Sequence, residues 1–109
     1  MKTNYKFGTV LDLEAMAIPS DTKVQFKQIF ETGNGGVNIV AFKKGQDLDT
    51  HTAPAEVMLI VLDGEITFTM NTTTSALSKG QFILMGADVP HSVVAKTDAT
   101  VMLVKIKPD

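Results

Sequence analysis

Two histidines, His51 and His91, are the side chains of this sequence whose type suits chemistry near neutral pH. A neutral imidazole can bind a transition metal, relay a proton, or hold a polar ligand through a hydrogen bond. The chain contains no cysteine, which excludes a thiolate nucleophile and a cysteine-bound metal. The two imidazoles are therefore the first candidates for a functional site.

The segments that must position these histidines are short runs rich in β-branched and aromatic residues, separated by turn residues. The one stretch with helical character is 11–17, which Pro19 soon ends. Such spacing is typical of an all-β sandwich or barrel. The pattern predicts a short N-terminal helix and strands over 24–30, 37–42, 57–62, 65–70, 81–85, 91–94 and 100–106.

Glycine and polar residues mark the turns between these runs. The run Gly33-Asn34-Gly35-Gly36 predicts a hairpin, because these residues tolerate positive φ. Asp63-Gly64 suits a type I′ turn. The polar segment 71–75 is predicted to be a loop.

Two of the predicted strands are apolar on both faces. Alternation places Val57, Leu59 and Val61 on one side of their strand. Met58, Ile60 and Leu62 then face the other side, and the run 101–104 shows the same feature. One face can line a barrel, but the other must also be covered. We therefore expect a homodimer.

Composition restricts the partners. With 109 residues, the chain is the length of a single domain, predicted to span 1–109. The 12 acidic and 10 basic residues give a net charge of −2, which argues against a nucleic-acid partner. The sequence has neither the apolar core of a secretion signal nor a run of roughly 18 apolar residues that could cross a membrane. We therefore expect a cytoplasmic protein without a membrane partner.

The surroundings of the two histidines resemble the two conserved motifs of the cupin family. His51 lies between Gly45 and Gly64, in a first motif of about 45–64. His91 follows Gly80 and the pair Val89-Pro90, in a second motif of about 80–95. The resemblance implies a double-stranded β-helix, also called a jelly-roll β-barrel, with both histidines pointing into it.

The resemblance is incomplete where cupins bind metal. In cupins with a complete metal site, which these motifs resemble, three histidines and one glutamate bind the ion. Here Ala53 and Val57 occupy the positions of the second histidine and of the glutamate. Glu56 lies one residue early, and alternation turns it away from His51 unless Pro54 introduces a bulge. Two ligands remain, His51 and His91, for a weakly held divalent ion of Fe, Mn, Zn, Ni or Cu.

The leading hypothesis is a barrel that binds a small organic ligand, with His51 and His91 as polar anchors. An alternative is a metal-dependent enzyme, similar to cupin dioxygenases or isomerases, in which water or substrate completes the metal shell. A third hypothesis is a binding module without chemistry, which could not reach DNA alone because no helix-turn-helix is present. Together with the resemblance, the parity of each residue, that is, the face of the strand to which alternation assigns its side chain, predicts the walls of the pocket. The predicted wall residues are Phe42, Val57, Leu59, Phe68, Phe82 and Val93.

Overall fold

A computed structural model describes residues 1–108 of the chain. It contains one short helix and nine strands, which confirms the predicted all-β class and the short N-terminal helix. The elements are α1 (Leu13–Met16), β1 (Gln25–Thr32), β2 (Gly35–Phe42), β3 (Asp47–His51), β4 (Glu56–Asp63), β5 (Glu65–Met70), β6 (Thr73–Ser78), β7 (Phe82–Met85), β8 (His91–Ala95) and β9 (Ala99–Ile106).

The strands form two antiparallel sheets. The larger has the order β1-β2-β9-β4-β7, and the smaller has the order β3-β8-β5-β6. Chain neighbours such as β4 and β5 lie in different sheets, so the chain passes between the sheets as it winds. This is the connectivity expected of a jelly-roll barrel, which confirms the predicted architecture.

The core lies between the two sheets and is built by strict alternation. On β4, Val57, Leu59 and Val61 are buried, whereas the residues between them are only half-buried. Ile66 and Phe68 of the smaller sheet face them from the other side of the core. Each such side chain contributes roughly 1.5–3 kcal/mol through removal from water. Inward parity on β4, β5, β8 and β9 therefore determines which residues can line an internal cavity.

Sequence reasoning missed two strands, β3 and β6, and both are edge strands of the smaller sheet. The segment 71–75 was predicted to be a loop, but β6 begins at Thr73 and pairs with β5 along its whole length. Its alternation is masked because four of its six residues are threonine or serine and only Leu77 is buried. An edge strand with a solvated face lacks the apolar pattern on which the prediction depended.

The type I′ turn predicted at Asp63-Gly64, which is the turn of a two-residue hairpin, does not form, because Gly64 has positive φ and Asp63 does not. The turn connects β4 to β5, and these strands belong to different sheets. Gly64 has φ of 78°, and a Cβ at this position would lie 2.1 Å from the carbonyl oxygen of Asp98. Glycine is thus required for close backbone packing at a crossover and not for a hairpin. The hairpin at Gly33-Asn34 does form, between β1 and β2.

The helix α1 is a single turn. Its N-cap is Asp12, whose side chain accepts a hydrogen bond from the backbone N–H of Glu14. Within residues 1–108, no helix has the length and apolarity that crossing a membrane requires. The cytoplasmic location and the extent of the domain stay predictions.

Candidate functional site

The two histidines meet on neighbouring strands. His51 ends β3, His91 begins β8, and the two residues are direct partners in the ladder between these strands. Their ring centroids are 4.2 Å apart, and the ring planes are inclined by 60°. Residues forty positions apart in the sequence therefore form one pair of imidazoles.

A β-bulge gives His51 its orientation. Leu48 pairs with Val93, and His51 pairs with His91, so three steps along β3 match two steps along β8. Without the extra residue, Leu48 and His51 would face opposite sides of the sheet. The bulge lies before His51. From the sequence alone, a bulge was considered at Pro54 instead. Glu56 accordingly stays exposed on the outer face of β4, as its parity predicted.

The backbone fixes the protonation of one nitrogen in each ring. Nδ1 of His51 lies 2.8 Å from the carbonyl oxygen of Asp49, and Nδ1 of His91 lies 2.9 Å from that of Val89. A carbonyl oxygen only accepts, so each Nδ1 must carry a proton and donate it. In the neutral form of each ring, Nε2 is then the unprotonated nitrogen. The pair thus presents two acceptor nitrogens, each able to take a hydrogen bond or bind a metal.

His91 is the buried member of the pair, with 8% of its surface exposed. Burial lowers its pKa from the ordinary value of 6.5, and the charges of His51 and Lys105 lower it further, against the opposing effect of the Val89 hydrogen bond. Phe68 stacks against the ring, with centroids 6.0 Å apart and planes inclined by 21°. His91 is therefore held rigidly and favours its neutral form.

Both imidazoles line a cavity of about 450 Å³ between the two sheets. Its walls are mostly apolar, and its ionisable lining residues are Asp49, His51, His91 and Lys105. The remaining lining residues are Phe26, Leu48, Thr52, Ala53, Pro54, Val57, Leu59, Met85, Val93, Val101 and Leu103.

The structure places three of the predicted wall residues elsewhere. Phe42 faces inward but is fully buried in the core, where it pairs with Ala99 beyond the cavity. Phe68 is fully buried behind His91, where it packs on the imidazole. Phe82 lies on the outer face, 56% exposed, because it pairs with the outward-facing Ile60. His51, His91, Val57, Leu59 and Val93 do line the cavity.

Sequence reasoning also missed lining residues, and the same alternation could have found several of them. Met85 has the inward parity on β7 that was assigned to Phe82. Lys105 shares the inward parity of Val101 and Leu103 on β9. Phe26 reaches the cavity from β1, where it pairs with the inward-facing Val40.

Comparison with known proteins agrees with this geometry. The profile described as Cupin domain matches residues 38–107, more than half of the chain and the whole of the histidine pair. The chain belongs to the cupin family. No protein with a curated function is detectably similar to it in sequence.

Solved cupin-like structures share its architecture. A conserved protein of unknown function from Streptococcus pyogenes, SPY1581, is 26% identical, with a TM-score of 0.89 over 100% of this chain and 97% of that one. A cupin 2 conserved barrel domain protein from Leptotrichia buccalis is 28% identical, with a TM-score of 0.83 over 89% of this chain and 47% of that one. KdgF from Halomonas sp. is 21% identical, with a TM-score of 0.71 over 83% and 86%, and that likeness concerns the fold alone.

The donor set of this cupin is smaller than a complete metal site of the family requires. Ala53 and Val57 line the cavity and carry no donor atom. Among residues 1–108, no group of three or more histidine, cysteine, aspartate or glutamate side chains is placed to hold a metal ion. Two imidazoles can supply at most two ligands to a divalent ion, and within residues 1–108 no third such side chain stands beside them to complete four.

Proposed function

We propose that this cupin binds a small organic molecule in the cavity between its sheets, with His51 and His91 as the polar anchors. The observation that carries the proposal is the pair of Nδ1 hydrogen bonds to Asp49 and Val89, which leaves Nε2 of each neutral ring as an acceptor. A ligand with a hydroxyl or amide N–H can donate to these nitrogens. Anchoring of this kind gives orientation within a site that is otherwise apolar.

The size and lining of the cavity support the proposal. A volume of about 450 Å³ lies within the range of roughly 300–1,000 Å³ that is usual for small-molecule sites. Leucine, valine and methionine side chains surround the imidazoles and would contact the apolar part of a ligand. The phenyl ring stacked behind His91 keeps that anchor in one orientation, so little side-chain entropy is lost on binding.

The experiment is a thermal-shift screen of a small-molecule fragment library, followed by calorimetric titration of the hits. Ala53→Phe adds a ring to the wall of the cavity, and Ala76→Phe adds the same ring on the exposed edge strand β6. We expect hits to lose at least about ten-fold in affinity in Ala53→Phe and to keep it in Ala76→Phe. His51→Ala and His91→Ala should weaken hits that carry a hydroxyl group. Hits that bind Ala53→Phe as well as wild type would contradict the proposal.

A metal-dependent enzyme is the second candidate, and one observation favours it. Both imidazoles donate Nδ1–H to a backbone carbonyl, which is the usual support for histidines that bind metal through Nε2. A chelating substrate would have to supply the missing ligands. Titration with Mn²⁺ or Ni²⁺, with and without a chelating hydroxy acid, distinguishes the candidates. A steep rise in metal affinity when the acid is present supports the enzyme, and identical curves exclude it.

We also infer that a second copy of the chain covers the outer face of the larger sheet. Phe82, Leu84 and Ile106 are each more than half exposed there, beside the half-buried Met58 and Val104. Leu84, Ile106, Met58 and Val104 border a groove of about 410 Å³, and within residues 1–108 its ionisable lining residue is Glu56. A continuous apolar surface of this kind is unusual on a monomer. A two-fold contact would bury the same patch on both copies.

A further inference from the structure

Lys105 is placed differently from the other cations of this chain. All ten basic residues are lysines, and most of them are exposed. Lys105 is half-buried and faces the interior, on β9 between Gly36 of β2 and Val57 of β4. The Lys105 side chain lines the same cavity as the two histidines.

Comparison with Lys43 shows why this position is unusual. Lys43 is the other half-buried lysine, and its ammonium lies 3.9 Å from a carboxylate oxygen of Asp21 and 3.7 Å from one of Asp98. Among residues 1–108, those two contacts are the ion pairs of the protein, so Lys105 has no described carboxylate within 4.0 Å. A charge that is partly withdrawn from water without a partner is costly.

The other ionisable groups of the cavity do not neutralise Lys105. Lys105 and His91 line the same cavity, and the charge of Lys105 makes a small contribution to lowering the pKa of His91. His91 therefore favours its neutral form, and His51 contributes no negative charge. Asp49 is the acidic lining residue, but it is exposed, and its carboxylate makes no ion pair with Lys105. A positive charge therefore faces the cavity beside two imidazole acceptors.

We infer that the ligand of this cavity is a small organic carboxylate, whose negative charge pairs with the ammonium of Lys105 while a hydroxyl group donates to the imidazole nitrogens. This inference rests on the proposed ligand-binding function and adds the chemical class of the ligand. A short hydroxy acid combines the two polar groups with an apolar chain for the surrounding valine and leucine side chains. An ionised carboxylate also accepts charge-assisted hydrogen bonds, which are stronger than neutral ones.

The test compares ligands that share a skeleton and differ in charge. Straight-chain 2-hydroxy acids of four to six carbons are titrated calorimetrically at pH 8, beside the matching 2-hydroxy amides and 1-amino-2-alkanols. We expect the acids to bind at least about ten-fold more tightly than the amides, and the amines to bind weakest. Affinity for the acids should fall as salt is added, because salt screens the charge pair. These measurements need only the wild-type protein.

Two variants assign the preference to Lys105. Lys105→Met keeps a long apolar side chain without charge, and we expect it to bring the affinities of acids and amides within about two-fold of each other. Lys96→Met removes one charge from an exposed position beyond the end of β8 and should leave the preference unchanged. Lys105→Arg should preserve it in large part.

The outcomes separate this inference from the proposed function. If amides or amines bind as tightly as acids, the carboxylate inference is wrong while the small-molecule function stands. If the acid preference survives in Lys105→Met, the charge that selects the ligand lies elsewhere and the inference is wrong. If no compound of the three classes binds, and the fragment screen also finds nothing that Ala53→Phe blocks, the proposed function fails together with this inference.

Discussion

The two faces of the larger sheet are both apolar along its central strand β4 but have different surroundings. Its inner face contributes to a cavity of about 450 Å³ with two imidazoles and an ammonium group. Its outer face borders a groove of about 410 Å³, where Glu56 is the ionisable lining residue. Both surfaces come from alternate residues of the same strands, so Leu59 faces one and Met58 the other.

This difference indicates two kinds of recognition. Convergent polar groups in an enclosed apolar space can orient a small molecule. An exposed apolar surface with little charge has few ways to orient a small molecule, but it suits the packing of another protein surface. We therefore assign the inner face to ligand binding and the outer face to self-association, as proposals that can be tested separately.

The largest expected effect comes from removing the same side chain on each face. Leu59→Ala truncates the side chain of a residue that is 2% exposed. Leu84→Ala makes the same truncation at a residue that is 64% exposed, on the neighbouring strand β7. We expect Leu59→Ala to lower the free energy of unfolding by about 3 kcal/mol, through lost burial and an enlarged cavity. Leu84→Ala should lower it by less than about 0.5 kcal/mol in dilute protein. Urea denaturation at submicromolar concentration measures both, and equal losses would contradict the distinction between the faces.

A charge on the outer face should break self-association without affecting the inner face. Leu84→Glu places a carboxylate beside its own symmetry copy, and we expect the dimer to weaken at least roughly thirty-fold, or about 2 kcal/mol. Val94→Glu introduces the same charge at an exposed apolar position on the smaller sheet and should leave the dimer intact. Sedimentation velocity over a concentration series measures the equilibrium. A monomeric wild type at all concentrations would refute the dimer.

A smaller effect should appear as pH dependence that originates on the inner face. His91 has its pKa lowered by burial below the ordinary value of 6.5, which is also the expected value in the unfolded chain. Above pH 6.5, both states have neutral His91 and its contribution to stability is complete. As the pH falls from 6.5 through the folded-state pKa, the unfolded state binds the proton more readily and this stability is lost.

The non-titrating variant His91→Asn isolates that contribution, because an asparagine amide N–H can still donate to the Val89 carbonyl. We expect the difference in unfolding free energy between wild type and variant to shrink between pH 7 and pH 5. Urea denaturation at intervals of half a pH unit measures it. A constant difference over this range would show that burial does not govern the protonation of His91.

Much of the fold was predictable because the central strands are continuous apolar runs bounded by turn residues. The runs at 57–62 and 100–106 predicted β4 and β9 to within a residue or two at their ends. The edge strands β3 and β6 were missed, since a strand with a solvated, polar face carries no apolar period. The turn at Gly64 was recognised as a turn, but the choice between hairpin and crossover depends on which sheet each strand joins.

The lining of the cavity was predictable to a similar degree. Of the predicted residues, His51 and His91, which the family resemblance indicated, and Val57, Leu59 and Val93, which strand alternation indicated, do line it. Phe42 was assigned the correct face but the wrong depth, because parity gives a direction and no position along the barrel. Phe82 was assigned the wrong parity.

The sequence by itself determined the all-β class, the two apolar faces of the central strands and the two imidazoles, because residue type and alternation are local properties of the chain. Tertiary structure decided that a bulge turns His51 toward His91, that backbone carbonyls fix the Nδ1 proton of each ring, and that Lys105 faces the same cavity. These features depend on the register between strands distant in the sequence, and no local pattern specifies that register when a bulge can shift it by one residue.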